Sequence, residues 1–232
     1  MSEIANNTIY TVYGTREDVE ISPAEALRYM GVRQADDVSL QLLEACQDKA
    51  NRAFTYRAVF ARFAFSVEGD TLTFPFGTVR SADLAAHLAG CEYAYVLAAT
   101  AGHTIDRLIS KYSALQPSHG LAYQAMGAAG IEAWCDHLCR FLQQQEALPF
   151  TPRFSPGYGD LPLSYQPQIL SLLDTDRRIG ISLSEGGMML PTKSVTAFMG
   201  VHTSFSTELL TSSCASGCGS CRKDCAFRRE DT

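Results

Sequence analysis

Apolar and polar residues alternate along this chain in two different periods, and the switches between them mark out its elements. Ser22-Pro23, with Glu25 behind them, open a helix that Gly31 ends: a capping hydroxyl, a proline in the first turn and an acid near the positive end. A second helix is predicted from Asp36 or Asp37, with Val38, Leu42, Leu43, Cys46 and Ala50 on one face. Tyr56 to Phe65 alternates instead, Val59, Ala61, Phe63 and Phe65 against Arg57 and Arg62, and reads as a strand. Glu68-Gly-Asp turns into a second strand over Thr71 to Phe74.

Ser81-Ala-Asp83 opens a helix closed by Gly90, and Tyr93 to Thr100 is a near-continuous apolar run, as in a buried strand. Gly102-His103 lead into a helix ending near Ser113. A longer one follows over about Ser118 to Gln145, whose Ala and Gly residues allow close packing, with the sheet as the expected neighbour. Gln166 to Leu173 reads as a short helix, and Ile179 to Leu183 and Ser194 to Val201 as strands around a glycine-methionine turn. The pattern predicts an α+β protein: a mixed or antiparallel sheet packed with long helices in one main domain. The expected divisions are 1–90, an N-terminal segment of helices and strands, 91–210, a binding core, and 211–232, a cysteine-rich tail.

Composition narrows the function. The 232 residues are 46% hydrophobic and 19% charged, ordinary for a folded domain, and the net charge of −6 argues against a nucleic-acid or anionic-membrane surface. The opening residues lack a secretory pattern, and the longest apolar stretch is about half of the ~20 residues a membrane helix requires, so a cytoplasmic protein is expected.

Two segments carry candidate chemistry. RFSPGYGDLPL (153–163) sets Arg153 before a Pro-Gly turn, with Tyr158 and Asp160 close behind. The guanidinium fork suits a carboxylate, and Gly157 lets the backbone bend tightly against a ligand. LSEGGMMLPTKSVTAF (183–198) sets Glu185 beside two glycines, where an anion would favour a sulfonium-bearing ligand. Met188 and Met189 read as core filler.

Together these segments resemble the activation domain of cobalamin-dependent methionine synthase, above all its stand-alone forms. A weaker likeness runs through AATAGHTID (98–106), so that it spans roughly Cys91 to Val201. The resemblance implies S-adenosylmethionine binding, with Arg153 as carboxylate clamp, Ser155, Gly157 and Tyr158 lining the pocket, and Asp160 and Glu185 beside it. It implies reductive remethylation of cobalamin carried by a partner, either methionine synthase or another corrinoid protein, with a reductant such as flavodoxin or ferredoxin. The Asp-x-His-x-x-Gly signature that supplies a lower cobalt ligand is absent, so the partner must bring the cobalamin. Full-length methionine synthases continue with a His-Pro step and a tyrosine pair; here His202 has no proline after it, and Phe205 is the nearby aromatic residue. That departure supports an alternative, a docking subunit that has lost its ligand.

Eight cysteines divide into two groups. Cys46, Cys91, Cys135 and Cys139 lie in apolar patterns as buried thiols. His137 points away from the face shared by Cys135 and Cys139, so those three form no single site. Cys214, Cys218, Cys221 and Cys225 crowd into twelve residues among Ser and Gly, poor helix formers, which suits a loop wrapping a metal. A [4Fe-4S] cluster is the first expectation and zinc the second, with Arg222, Lys223, Arg228 and Arg229 offsetting thiolate charge. A further alternative follows from these thiols, an iron–sulfur electron-transfer activator of a corrinoid protein.

Overall fold

In the computed structural model, which describes residues 4–202, a four-stranded sheet organises the chain. β1 (Tyr10–Tyr13), β2 (Arg57–Ala64), β6 (Cys91–Thr100) and β9 (Ser194–His202) lie side by side in that order, each pair antiparallel. The central pair β2–β6 aligns Arg57 with Thr100 and Ala64 with Tyr93. Strands from both the first ninety residues and the segment after them therefore share one sheet.

Both faces of this sheet are covered, which explains why β6 is apolar from Tyr93 to Ala99. On one face Phe60, Tyr95, Leu97, Ala197 and Met199 pack against helices. These are α1 (Pro23–Tyr29), α2 (Asp37–Ala53), α4 (His103–Leu115) and the thirty-residue α5 (Pro117–Glu146). On the other face Val59, Ala61, Phe63, Val96 and Phe198 meet a second apolar cluster. It is built from a three-stranded sheet of β3 (Ser66–Glu68), β4 (Thr71–Phe74) and β5 (Gly77–Arg80), with α3 (Ala82–His87), α6 (Gln166–Leu172) and α7 (Thr175–Ile179). The alternation expected in β2 is thus a partition between two cores: Ala58 and Phe60 face one, Val59, Ala61 and Phe63 the other.

Local signals account for most boundaries. Asp36 caps α2 by accepting from Ser39 N–H at 2.8 Å, and Ser81 caps α3 by accepting from Leu84 N–H at 2.9 Å. The small residues of α5 do admit close neighbours: the rings of Phe54 and Tyr56 lie against Gly130, and Lys193 against Gly127. Three expectations need correction. Met188, read as core filler, is 65% exposed. Val38 sits in the first turn of α2 and is 76% exposed, one turn short of the buried Leu43, Cys46, Ala50 stripe. The strand expected over Ile179 to Leu183 is instead the end of α7, stopped by Gly180 at φ +72°, followed by β7 (Ser182–Leu183), which pairs with β8 (Met189–Leu190).

Candidate binding site at the edge of the sheet

The outer edge of β9 is extended by the residues after α5. Thr151 N–H donates to Gly200 O at 3.0 Å, and Phe154 and Phe198 exchange N–H···O bonds of 2.9 and 2.8 Å. Extended backbone sends neighbouring side chains to opposite faces. Phe154 goes to the second apolar cluster, and Arg153 is turned to the opposite side, against α5.

Three groups of α5 receive the Arg153 guanidinium. Nη2 meets Glu132 Oε2 at 2.7 Å, Nη1 meets Asp136 Oδ1 at 2.8 Å, and Nη1 lies 3.7 Å from Cys139 Sγ. The spacing of four and then three residues puts all three on one helical face. The Arg153 side chain is 12% exposed; Glu132, at 32%, is the outermost member. Burial works against the cation but is outweighed by the Cys135 and Cys139 sulfurs and by the two carboxylates, which hold its pKa well above the ordinary value. Burial also pushes the Cys135 thiol up, so that it is uncharged near neutrality. The carboxylates are therefore the partners that keep Arg153 in place.

Following Arg153, the chain folds back on itself. Tyr158 N–H donates to Ser155 O at 3.0 Å, Gly157 N–H to Leu161 O at 2.8 Å, and Leu161 N–H to Tyr158 O at 3.0 Å. Gly157 (φ +94°) and Gly159 (φ +52°) adopt backbone that favours glycine. At Gly159 a side chain is also excluded by contact, since a Cβ would fall 2.1 Å from Asp83 Oδ2. Ser155 is half-buried, and Tyr158 is 55% exposed with its ring edge-on to Phe154 at 6.1 Å.

Asp160 has a different setting from the one its neighbours suggested. Its carboxylate accepts from Ser81 Oγ, from Ala82 N–H at 2.8 Å and from Asp83 N–H at 3.2 Å, while its own N–H donates to Asp83 Oδ2 at 3.0 Å. Those bonds, the Ser81 hydroxyl first, hold the acid below its usual pKa. Asp160 ties the glycine turn to the start of α3. Glu185 stands at the exposed tip of the β7–β8 hairpin, closed by Ser184 N–H to Met188 O at 2.9 Å. Among the described residues it makes no hydrogen bond or ion pair to the Arg153 cluster.

The acids opposite Arg153 were missed in the sequence. Their signal was present: Glu132 and Asp136, four residues apart, interrupt the mostly apolar, small-residue run from Ala125 to Cys139. A second layer lies on α1, where Arg28 donates to Glu25 at 2.7 Å and lies 4.2 Å over the Tyr29 ring. Tyr29 is raised in pKa by burial and then by the Glu132 charge.

Cys46, Cys135 and Cys139 are buried free thiols, as expected, while Cys91 is only partly buried, 3.7 Å from both ring nitrogens of His202. His137 stacks on Trp134 at 5.5 Å. Among the described residues no group of three or more His, Cys, Asp or Glu side chains is placed to hold a metal. The candidate ligands Cys214, Cys218, Cys221 and Cys225, and Phe205, lie outside the described residues. No described helix is long and apolar enough to cross a membrane.

An antiparallel sheet packed between a long-helix layer and a smaller mixed layer, with an arginine–carboxylate cluster at its edge, defines the class. No protein-family profile matches the chain, and no curated protein matches it in sequence. Among solved structures it is similar to the MetH reactivation domain crystallised with AdoHcy, at a TM-score of 0.66 and 16% identity. The match covers 88% of this chain and 81% of that one. The chain has the α+β fold of the methionine synthase reactivation domain.

Proposed function

We propose that this chain binds S-adenosylmethionine at the Arg153 cluster and serves as a stand-alone reactivation component for a cobalamin-dependent methionine synthase or another corrinoid protein. The observation that carries the reading is the burial of Arg153 between Glu132 and Asp136 in a fold shared with an AdoHcy-bound reactivation domain. In this reading the amino-acid end of the ligand lies across the cluster, its carboxylate toward Arg153 and its cationic groups toward Glu132 and Asp136. Ser155, Gly157 and Tyr158 border the same turn, and Asp160 acts at one remove by fixing that turn to α3. Glu185 and the exposed Met188, at the tip of the β7–β8 hairpin, are assigned in this reading to contact with the docking partner.

Reductive remethylation needs an electron and a methyl group. The residues of this chain supply orientation: they hold the sulfonium so that its methyl group faces the partner's cofactor. Proximity, rather than acid–base chemistry, is the source of the rate gain, and no residue here is assigned as catalytic. The electron comes from a separate reductant such as flavodoxin or ferredoxin, and the cobalamin from the partner.

Calorimetric titration with S-adenosylmethionine tests the reading directly. Saturable binding is expected in the wild type, with a loss of at least about tenfold in Arg153→Lys, which keeps the charge but not the fork. A wild-type protein that binds neither S-adenosylmethionine nor AdoHcy refutes it and leaves the docking-subunit alternative. The four clustered thiols favour one addition: Cys214, Cys218, Cys221 and Cys225 hold a [4Fe-4S] cluster, or zinc in second place, so that the chain also delivers the electron. Anaerobic purification with iron, sulfide and zinc analysis decides between these, and a metal-free protein removes the addition.

A further inference from the structure

Cys91 is a thiol that the proposed binding site does not use and that burial leaves within reach of solvent. Cys46, Cys135 and Cys139 are buried, whereas Cys91 is only partly so. It opens β6 and stands opposite His202, the last residue of β9, where the register slips between Cys91 and Tyr93. Its Sγ lies 3.7 Å from both Nδ1 and Nε2 of the His202 ring.

The seat of this sulfur depends on a glycine. A Cβ on Gly200 would come within 2.4 Å of Cys91 Sγ and 2.9 Å of Leu88 Cδ2, so a side chain there would displace the thiol. Gly200 is itself fixed by Thr151, whose N–H donates to Gly200 O at 3.0 Å and whose hydroxyl accepts from Gly200 N–H at 2.8 Å. Burial pushes the Cys91 thiol up to about 11, so at neutral pH the sulfur keeps its proton until a neighbouring base takes it. His87 of α3 is already engaged, with Nε2 on Pro152 O at 2.7 Å, and it is the His202 ring that faces the sulfur.

We infer that Cys91 and His202 form a thiol–disulfide exchange site whose partner is a second thiol, carried either on a small molecule or on the chain's own cysteine-rich tail. A nucleophilic sulfur beside an imidazole base is the arrangement such chemistry needs. His202 takes the Cys91 proton, and the thiolate attacks one sulfur of an incoming small-molecule disulfide. The other sulfur leaves as a thiolate and recovers the proton from the imidazolium. A tail thiol then displaces the small thiol from Cys91 by the same exchange. The net change is two protein thiols oxidised to one disulfide and the incoming disulfide reduced to two thiols. The chain continues from His202 itself: Cys214 is twelve positions further on, a span of up to about 40 Å when extended, and Cys218, Cys221 and Cys225 follow. The site is separate from the Arg153 cluster and does not depend on the function proposed above.

Oxidised glutathione, added to the full chain before peptide mapping by mass spectrometry, tests the inference. Cys91 is expected to carry a disulfide while Cys46, Cys135 and Cys139 stay reduced. A glutathione adduct identifies the small-molecule partner, and a cross-link to Cys214, Cys218, Cys221 or Cys225 identifies the tail. His202→Ala is expected to slow the reaction of Cys91 at neutral pH by at least about tenfold, and added imidazole to restore much of the rate. Circular dichroism checks that this variant folds, and a purely structural role for His202 would not respond to imidazole. A Cys91 that stays reduced in the folded wild type, an unchanged rate in His202→Ala, or a slow variant that imidazole does not restore overturns the proposal. Any of these failures in a preparation that still binds S-adenosylmethionine leaves the proposed function standing.

Discussion

Arg153 Nη2 lies 2.7 Å from Glu132 Oε2, and this contact joins the edge of the sheet to the middle of α5. With Asp136 on the other nitrogen, one guanidinium faces two carboxylates, and the cluster carries one net negative charge. S-adenosylmethionine brings an ammonium, a sulfonium and one carboxylate, a net positive charge; AdoHcy lacks the sulfonium and is neutral. Glu132→Gln removes the excess anion. It is expected to weaken S-adenosylmethionine by about tenfold and AdoHcy by clearly less. Equal losses for both ligands in calorimetric titration would show that the acid does not read the sulfonium.

The same pair sets a stability prediction that needs no ligand. Removing the cation in Arg153→Met leaves two partly buried carboxylates without compensation. A loss of about 3–5 kcal/mol in urea unfolding is expected. The double replacement Arg153→Met with Asp136→Asn removes one of those charges and is expected to recover part of the loss. If the single variant unfolds at the wild-type midpoint, the cluster contributes nothing to the fold.

Asp160 predicts the reverse balance between stability and binding. Its carboxylate takes the Ser81 hydroxyl and the first amides of α3, so Asp160→Asn loosens the glycine turn without touching Arg153. Thermal unfolding at a lower temperature, together with a modest loss of S-adenosylmethionine affinity, is expected. Ser81→Ala is expected to shift the unfolding temperature in the same direction, because Ser81 also caps Leu84. A loss of binding at unchanged stability would instead make Asp160 a direct ligand contact.

These residues show what a linear sequence carries and what it leaves out. The β6 and β9 strands, α2 and the long α5 were legible because each buries a continuous face, and the apolar period reports burial. β5 and α7 were not: Gly77–Arg80 is held by pairing with β4, and Thr175–Ile179 is a single polar turn between Asp174 and Gly180. Arg153 and its Pro-Gly turn stood out because one planar cation beside flexible backbone is a local pattern. Its acid partners are 17 and 21 positions earlier in sequence and become neighbours only when residues 151–154 pair with β9. Asp160, adjacent to the clamp in sequence, is instead drawn to α3 by Ser81, a contact across 79 positions.

His87 predicts how the fold responds to acid. Its Nε2 lies 2.7 Å from Pro152 O, and since a carbonyl only accepts, this nitrogen carries the proton of the neutral ring. The ring also packs against Phe154 at 5.0 Å, next to Arg153. Burial first, and the nearby His202 second, lower its pKa below the ordinary 6.5, and the Pro152 bond only partly offsets this. Between the folded and unfolded values the unfolded chain binds more protons, so stability rises with pH across that interval. The contribution is therefore complete above about pH 6.5 and is lost as the pH falls from there through the folded value. The depressed carboxylates of Asp18, Asp70 and Asp160 add their losses only lower, below 3.8. Wild-type unfolding temperature is expected to drop between pH 7 and pH 5. His87→Gln retains a donor for Pro152 but cannot take up the proton, and its unfolding temperature is expected to drop less over the same interval. Parallel curves for the two proteins would show that His87 does not link protonation to unfolding.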